Sequence, residues 1–310
     1  MTHWTVVSRP GPVEAAILEE LAPALRVRRH IGAGVTLRYL DSGPGPAPPV
    51  VFLHGRGHGA AAWWPLLGPL ASRRRVVAFD LPGFAHSAAR PWAGGDARDG
   101  LRFFVDPIAA ALRELSIERP VLVGHSLGGL VALATTLEAT RHGIAPSGLV
   151  LVDAMGLAPA LATRARLYFR AGPERLARLG GPLRRLGAAA TGTRASRNEA
   201  LRHELLAVRG GRDDASAAFD AMCPMTGPIF HLKGELARVD VPTAIVWGRH
   251  DEAFPVEVAV EAARLVPRAE LHLLDAGHAP HVERPGEVLR IVTAFVDRLA
   301  NGSSAGMVRP

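Results

Sequence analysis

Short apolar runs alternate with helical patterns along most of this chain. Six nearly continuous apolar runs and one alternating segment predict β-strands at 35–41, 49–55, 75–80, 121–126, 148–154, 243–248 and 269–275. Uninterrupted Val, Leu and Ile positions indicate burial on both faces, which is typical of a parallel sheet.

Helical patterns lie between these strands. One helix is predicted over residues 107–115, with Asp106 as its N-cap and Pro107 as its first residue. Another follows residue 126, and the last runs from about residue 286 to 299. This alternation predicts the α/β class, with a doubly wound, mostly parallel sheet.

The alternation breaks between residues 156 and 238. That stretch is rich in Arg, Ala and Leu, has a helical texture, and holds no convincing buried strand. We expect residues 1–155 and 239–300 to form the α/β core and residues 156–238 to be a helical cap inserted over the sheet. Residues 301–310 are expected to be a disordered tail.

Composition bounds the class of protein. The 310 residues are 48% hydrophobic and 21% charged, which excludes a disordered chain. The first residues do not read as a signal peptide, and no segment is long and apolar enough to span a bilayer. The single cysteine, Cys223, excludes a disulfide framework and makes the cytoplasm the default location.

The net charge of +7 is concentrated in the predicted cap. Residues 156–240 hold 14 Lys and Arg against 8 Asp and Glu. This segment could favour an anionic substrate or form a solvated helical face, and the second interpretation is favoured. Aromatic residues are not interleaved with the arginines, so nucleic-acid binding has little support.

The run VLVGHSLGGL at residues 121–130 predicts a strand, a sharp turn and a helix with Ser126 at the apex. Glycines at 124 and 128 fit such a turn because side chains there would collide with the strand and the helix. The Leu127 N–H would lie at a helix N-terminus and point at a developing oxyanion. This pentapeptide also occurs by chance, so Ser126 is a nucleophile only if a base and an acid are found.

The base and the acid are expected just beyond later strands. Catalytic groups of such sheets lie past the carboxyl ends of the strands, where Asp251 and His278 follow the last two predicted strands. The order Ser126, Asp251, His278 predicts His278 as general base and Asp251 as the acid that orients it. Asp153, which ends the strand at 148–154, is the runner-up acid.

The second oxyanion donor is expected in the HGRGHG loop at residues 54–59, with the Arg56 N–H as first choice. The Arg56 side chain could bind a substrate carboxylate or reach solvent, and solvent is favoured. Structural roles are assigned to the histidines His58, His86, His125 and His281. No metal-ligand spacing, dinucleotide motif or phosphate-binding loop is present, so neither a metal nor a cofactor is expected.

Several motifs together resemble the recurrent blocks of the α/β-hydrolase superfamily. They are HGRG followed by Trp63 and Trp64, then DLPGFAHS, GHSLGG, WGRHD and GHAPHVERP, and they span roughly residues 35–300. The chain looks most similar to the capped branch that includes carboxylesterases and hydrolases that split carbon–carbon bonds in ring-cleavage products. In that branch the cap follows the sixth strand, which matches the break near residue 156. Related epoxide hydrolases and haloalkane dehalogenases carry an aspartate nucleophile, so Ser126 argues against both activities.

The resemblance implies acyl-type hydrolysis. The leading hypothesis is cleavage of a carboxylic ester, thioester or lactone through an acyl-enzyme on Ser126. The alternatives are carbon–carbon bond hydrolysis, perhydrolase or acyltransferase activity with the same triad, and a non-catalytic member that only binds a ligand. The expected partner is a small molecule with an anionic or an apolar acyl group.

Overall fold

The fold is described by a computed structural model. It describes residues 9–21, 24–32, 34–171, 194–208 and 212–302.

The described residues form one eight-stranded sheet with the strand order β1-β2-β4-β3-β5-β6-β7-β8. The strands are β1 Arg26–Gly32, β2 Val35–Asp41, β3 Val50–Leu53, β4 Val76–Phe79, β5 Val121–His125, β6 Gly148–Val152, β7 Thr243–Gly248 and β8 Ala269–Leu274. The pairs β1–β2 and β2–β4 are antiparallel, and the remaining pairs are parallel. The prediction of a mostly parallel, doubly wound sheet is therefore confirmed.

All seven predicted strands are present, as β2 to β8. Strand β1 was not predicted; it is an edge strand whose sequence RVRRHIG is mostly exposed. It pairs on one side only, with β2. Because an edge strand can face water, β1 lacks the apolar run by which the buried strands were recognised.

Helices cover both faces of this sheet. They are α1 Pro12–Leu21, α2 Trp64–Ala71, α3 Ala97–Glu114, α4 Leu127–Leu137, α5 Ala139–His142, α6 Thr163–Ala171, α7 Arg194–Ala207, α8 Arg212–Met222, α9 Val256–Leu265, α10 Pro280–Glu283 and α11 Pro285–Ala300. Two short 3₁₀ helices occupy Ala60–Trp63 and Lys233–Arg238.

The predicted start of the helix at residues 107–115 is wrong. Helix α3 begins at Ala97, and Pro107 lies inside it. Asp96 is the N-cap: its carboxylate accepts the N–H groups of Arg98 and Asp99 at 2.7 and 3.0 Å, and Asp99 accepts the Asp96 N–H at 3.1 Å. This reciprocal capping box starts the helix one residue after Asp96. The helix tolerates the loss of one backbone hydrogen bond at Pro107, which has no N–H to donate.

Neighbouring residues of each central strand point to opposite sides of the sheet. Val51 and Leu53 of β3 belong to a core shared with α3, α4 and α9, whereas Val50 and Phe52 belong to a core shared with α2 and α11. Both cores exclude water from the same strands, and this double burial explains why the strands are apolar at every position.

Helix α1 is tied to the sheet by a buried ionic contact. Glu14 is fully buried, and its carboxylate lies 2.7 Å from Arg38 Nη2 on β2 and 2.8 Å from His86 Nε2. The charges and hydrogen bonds of Arg38 and His86 lower the pKa of Glu14, although burial, the largest single influence, opposes them. His86 thus has the structural role expected of it.

Between β6 and β7 the described residues contain helices α6, α7 and α8 and the second 3₁₀ helix, but no strand. Residues 172–193 and 209–211 of the predicted cap lie outside the described part of the chain, as does most of the predicted tail at 301–310. The division into core and cap at residues 156 and 238 stays a prediction. None of the helices in the described segments has the length and apolarity needed to cross a membrane.

Candidate active site

The turn between β5 and α4 holds Ser126 in a strained conformation. Its backbone has φ 51° and ψ −118°, a region that non-glycine residues seldom adopt. The Ser126 N–H donates to Val152 O at 3.1 Å, and the Met155 N–H donates to Ser126 O at 3.0 Å. The neighbouring strand β6 and its following turn therefore hold this conformation.

The two glycines of the turn are required by backbone packing. A Cβ atom on Gly124 would lie 2.2 Å from Gly128 O, and one on Gly128 would lie 2.2 Å from Leu53 O. Both obstacles are main-chain atoms, which cannot rotate away as the end of a side chain can. Strand β5, helix α4 and strand β3 therefore meet at the serine with no room for a methyl group.

Three predicted side chains come together at this turn. His278 Nε2 lies 3.2 Å from Ser126 Oγ, and His278 Nδ1 lies 2.9 Å from Asp251 Oδ2. An ionised carboxylate only accepts hydrogen bonds, so Nδ1 carries a proton and donates a hydrogen bond to Asp251. Nε2 is then free of a proton and accepts the Ser126 hydroxyl, which is the arrangement a general base needs.

Both carboxylate oxygens of Asp251 accept hydrogen bonds. Its side chain is fully buried, and Oδ1 accepts the N–H groups of Ala253 and Phe254 at 2.7 and 3.0 Å, which leaves Oδ2 for His278. These bonds belong to the loop that precedes α9. They fix the direction in which the carboxylate faces the imidazole.

Asp153 also lies at this edge of the sheet but has a different environment. It is fully buried, and its Oδ1 accepts the Gly248 N–H at 2.8 Å. Burial, reinforced by the negative charge of Asp251, raises the pKa of Asp153 well above its usual value. Both influences favour the neutral form of the Asp153 carboxyl, and the carboxylate that contacts His278 is Asp251.

The two predicted oxyanion donors come from different parts of the chain, one before Ser126 and one after it. Leu127 is the first residue of α4, and Arg56 follows Gly55 in the loop after β3. A Cβ atom on Gly55 would lie 2.7 Å from His125 Nδ1 and 3.2 Å from the Cβ of Ser126. The Gly55–Arg56 backbone thus passes directly against the candidate nucleophile.

The prediction that the Arg56 side chain reaches solvent is wrong. It is only 3% exposed, and its Nη1 lies 3.9 Å from Asp220 Oδ1. Its guanidinium lies 4.3 Å from the ring centroid of Phe219. Helix α8 carries both partners and covers the side chain, a contact between distant segments that the loop sequence alone does not reveal.

The rings of His58, His278 and His281 all pack near the ring of His125. The His125 Nε2–H donates to the carbonyl oxygen of His278 at 2.7 Å, which positions the backbone of the candidate base. The His125 and His281 rings lie 4.5 Å apart, and His281 lies 4.3 Å from the ring of Trp63. His58 packs at 6.5 Å from His125 on the other side.

A cavity of about 500 Å³ opens onto Ser126 and His278. The loop after β3 contributes Arg56 and His58 to its wall. Helix α6 contributes Arg164, and helix α7 contributes Arg202. These two arginines could not be predicted from the sequence, because no motif in the insertion indicates which helical faces turn toward the serine.

The residues at this edge do not fit a metal ion well. His125, Asp153 and His278 offer ligand atoms within 4.8 Å of one another. However, both ring nitrogens of His278 already contact Ser126 and Asp251, and His125 Nε2 donates to a carbonyl. The raised pKa of Asp153 also disfavours metal binding there, because metals bind the ionised form of a carboxyl group.

We expect the protein to lose stability steeply below pH 6.5. Burial lowers the pKa of His54, His58, His125 and His281, to about 3 for His281. Below pH 6.5 the unfolded chain binds protons at these four sites that the folded chain does not, so the free energy of unfolding falls as pH falls. Asp153, whose pKa is raised by burial, acts in the opposite direction. Each histidine that stays neutral in the folded protein contributes up to about 1.4 kcal/mol per pH unit to the slope.

Urea titrations between pH 7.5 and 5 measure this slope. The substitution His281→Gln should make it shallower by about one proton, whereas His250→Gln should not. His250 is a matched control because its side chain is 70% exposed, beside Asp275 at 3.0 Å. An unfolding free energy that stays flat over this range would contradict the neutral state of the buried histidines.

Residues 48–285 match the α/β hydrolase fold family. The match covers well over half of the chain, and the chain belongs to this family.

Similar curated proteins carry several activities. The Magnesium-chelatase 30 kDa subunit of Rhodobacter capsulatus is 30% identical over 266 residues, which cover 82% of this chain and 88% of that protein. The 2-hydroxymuconate semialdehyde hydrolase of Pseudomonas sp. strain CF600 is 30% identical, with coverage of 87% and 93%. The pimeloyl-[acyl-carrier protein] methyl ester esterase of Aeromonas hydrophila is 30% identical, with coverage of 81% and 96%.

Among solved structures, a membrane phospholipase A has the same fold. It aligns with a TM-score of 0.71 and 24% identity, and the alignment covers 93% of this chain and 91% of that one. With the hydrolase and esterase relatives, these findings identify the chain as an enzyme of the α/β-hydrolase family.

Proposed function

We propose that the protein is a serine hydrolase that cleaves a carboxylic ester, thioester or lactone through an acyl-enzyme on Ser126. The observation that carries this proposal is the continuous line of hydrogen bonds from Asp251 through His278 to Ser126, which ends at a cavity. An esterase relative at 30% identity supports the ester as the reacting group.

The proposed reaction follows from the positions of these groups. Ser126 Oγ attacks the carbonyl carbon while His278 Nε2 takes its proton, and the N–H groups of Leu127 and Arg56 stabilise the oxyanion. His278 returns the proton to the leaving alcohol, thiol or lactone oxygen, and the acyl-enzyme forms. Water then attacks with the help of His278, and the acid is released. Asp251 stabilises the imidazolium in both halves of the reaction.

We further propose that helices α6 to α8 act as the cap that shapes the substrate cavity. Arg164 and Arg202, which line the cavity, come from this insertion rather than from the sheet. On this proposal a small-molecule substrate binds between the cap and the core. The single free cysteine, Cys223, is compatible with a cytoplasmic location.

Carbon–carbon bond hydrolysis is the second candidate. It is favoured by the relative named 2-hydroxymuconate semialdehyde hydrolase and by the arginines of the cavity wall. The same three side chains would serve both reactions. Turnover of a ring-cleavage product, measured beside turnover of a short 4-nitrophenyl ester, separates the two candidates.

Labelling with a fluorophosphonate probe tests the nucleophile. We expect the probe to label the wild-type protein at one serine, located by mass spectrometry in the peptide that contains Ser126, and to leave Ser126→Ala unlabelled. Ser116→Ala is a matched control, because Ser116 also has a positive φ, of 50°, but does not line the cavity.

Two results would contradict the proposal. One is labelling that persists in Ser126→Ala. The other is a folded wild-type protein that neither reacts with the probe nor turns over any ester, which would favour a ligand-binding role instead.

A further inference from the structure

Three arginines face the cavity beside the candidate nucleophile. Arg56 comes from the loop after β3, Arg164 from α6 and Arg202 from α7. Among the described residues of the cavity wall, Glu252 is the one acidic side chain, and Asp220 lies 3.9 Å from Arg56 just beside it. The described part of the wall thus carries more basic than acidic side chains.

Helix α7 holds Arg202 in a fixed place. Leu201 and Leu205, on either side of it, are only 2% exposed and pack into the core. The Trp64 Nε1–H donates to Asn198 Oδ1 at 2.7 Å, one turn earlier on the same helix. The helix is therefore attached to the sheet domain at several points, and Arg202 needs little ordering when a ligand binds.

The acidic residues of α7 point their carboxylates elsewhere. Glu204 accepts the N–H groups of Val13 and Glu14 at 2.8 Å each, at the start of α1. Glu199 lies 3.1 Å from His203 Nε2 on its own helix. These two carboxylates are thus engaged away from the cavity, while Arg202 lines it.

The surroundings of Arg202 strengthen its interaction with an anion. Burial lowers the pKa of Arg202, which means that its charge is partly removed from water. Its charge also helps to lower the pKa of His58, after the larger effect of burial, so the positive charge acts inside the cavity. A charge pair is worth more in such a site than in water, because the screening by solvent is weaker.

We propose that the ester substrate carries a carboxylate, and that Arg202 binds this carboxylate with Arg164 at the edge of the cavity. The inference rests on the proposed function, since it names the class of ester that the same site accepts. A guanidinium matches a carboxylate in a paired, planar geometry.

Two pairs of esters test the proposal. In the first pair the acyl group differs, as in mono-4-nitrophenyl adipate and 4-nitrophenyl hexanoate. In the second the alcohol differs, as in 4-carboxyphenyl hexanoate and phenyl hexanoate. For at least one pair we expect the wild-type kcat/KM to favour the charged ester, and Arg202→Gln to lower the ratio of charged to neutral by roughly 10- to 100-fold.

Matched variants separate charge recognition from loss of structure. Arg197→Gln changes an exposed arginine of the same helix, which lies 3.3 Å from Glu20 and outside the cavity, and it should keep the wild-type ratio. Arg202→Lys retains the charge without the paired geometry and should give an intermediate ratio. Thermal unfolding of each variant confirms that it is folded.

The outcomes are distinguishable from a failure of the proposed function. Ser126-dependent turnover with no preference for either charged ester, or a ratio unchanged in Arg202→Gln, would overturn this inference alone. If no ester is turned over, the proposed function fails, and calorimetric binding of monomethyl adipate still decides the inference. Binding at least tenfold weaker to Arg202→Gln than to Arg197→Gln supports it, and equal binding overturns it.

Discussion

Asp251→Asn is expected to lower kcat for ester hydrolysis about 10,000-fold, with the protein still folded. The amide of asparagine can present N–H to His278 Nδ1, and the imidazole then carries its proton on Nε2, where it can no longer accept one from Ser126. The 2.9 Å contact between Asp251 Oδ2 and His278 Nδ1 is the reason that the effect should be so large. Steady-state kinetics on a 4-nitrophenyl ester measures it.

Asp153→Asn provides the matched control and is expected to lower kcat by less than about threefold. Burial raises the pKa of Asp153 and so favours its neutral form, which the neutral amide of asparagine resembles. The amide oxygen of the new side chain can still accept the Gly248 N–H that Asp153 Oδ1 accepts. If instead the Asp153 variant lost activity and the Asp251 variant kept it, the runner-up acid would be the true one.

Gly128→Ala is expected to destabilise the fold by at least about 3 kcal/mol and to abolish activity. The new methyl carbon would lie 2.2 Å from Leu53 O and 2.6 Å from His54 O, so strand β3 and helix α4 must separate. That separation would move both Ser126 and the loop that carries Arg56. Urea denaturation measures the loss of stability, and the rate of ester hydrolysis measures the loss of the site.

Gly286→Ala serves as the control for this substitution. Nothing lies within 4 Å of a Cβ atom on Gly286, which is in the first turn of α11. Alanine favours a helix over glycine by about 0.5 to 1 kcal/mol, so this variant should be as stable as the wild type or more stable. Equal stability of the two alanine variants would contradict the tight packing inferred for the turn.

Most of the strands could be predicted because burial on both faces requires apolar residues at successive positions of the sequence. Strands β3 to β7 are buried on both faces, and their apolar runs locate them to within two residues. Strand β1 lies at the sheet edge and carries arginines, so it has no such apolar run. Pro107 predicts a helix start, but the capping box at Asp96 begins α3 earlier and leaves Pro107 inside the helix.

The candidate site also contains residues that could be predicted from the sequence and residues that could not. Ser126, Asp251 and His278 could be predicted because each follows a recognisable strand, and parallel strands bring their carboxyl ends to one edge. Arg202 and Arg164 could not be predicted, because their positions depend on how the inserted helices pack over the sheet. The burial of Arg56 depends on Phe219 and Asp220, which belong to a distant helix of the insertion.

If Arg202 binds the substrate as proposed, the hydrogen bonds that Glu204 accepts from the first turn of α1 would link the amino-terminal segment to substrate recognition. Glu14 in that same turn is locked to Arg38 and His86, so α1 joins the sheet to the helix that carries Arg202. By thermodynamic linkage, a substrate bound to Arg202 would then protect α1 from opening, and a substitution that loosens the contact between α1 and α7 would weaken substrate binding. Residues that contact neither the ester nor the nucleophile would thereby influence affinity.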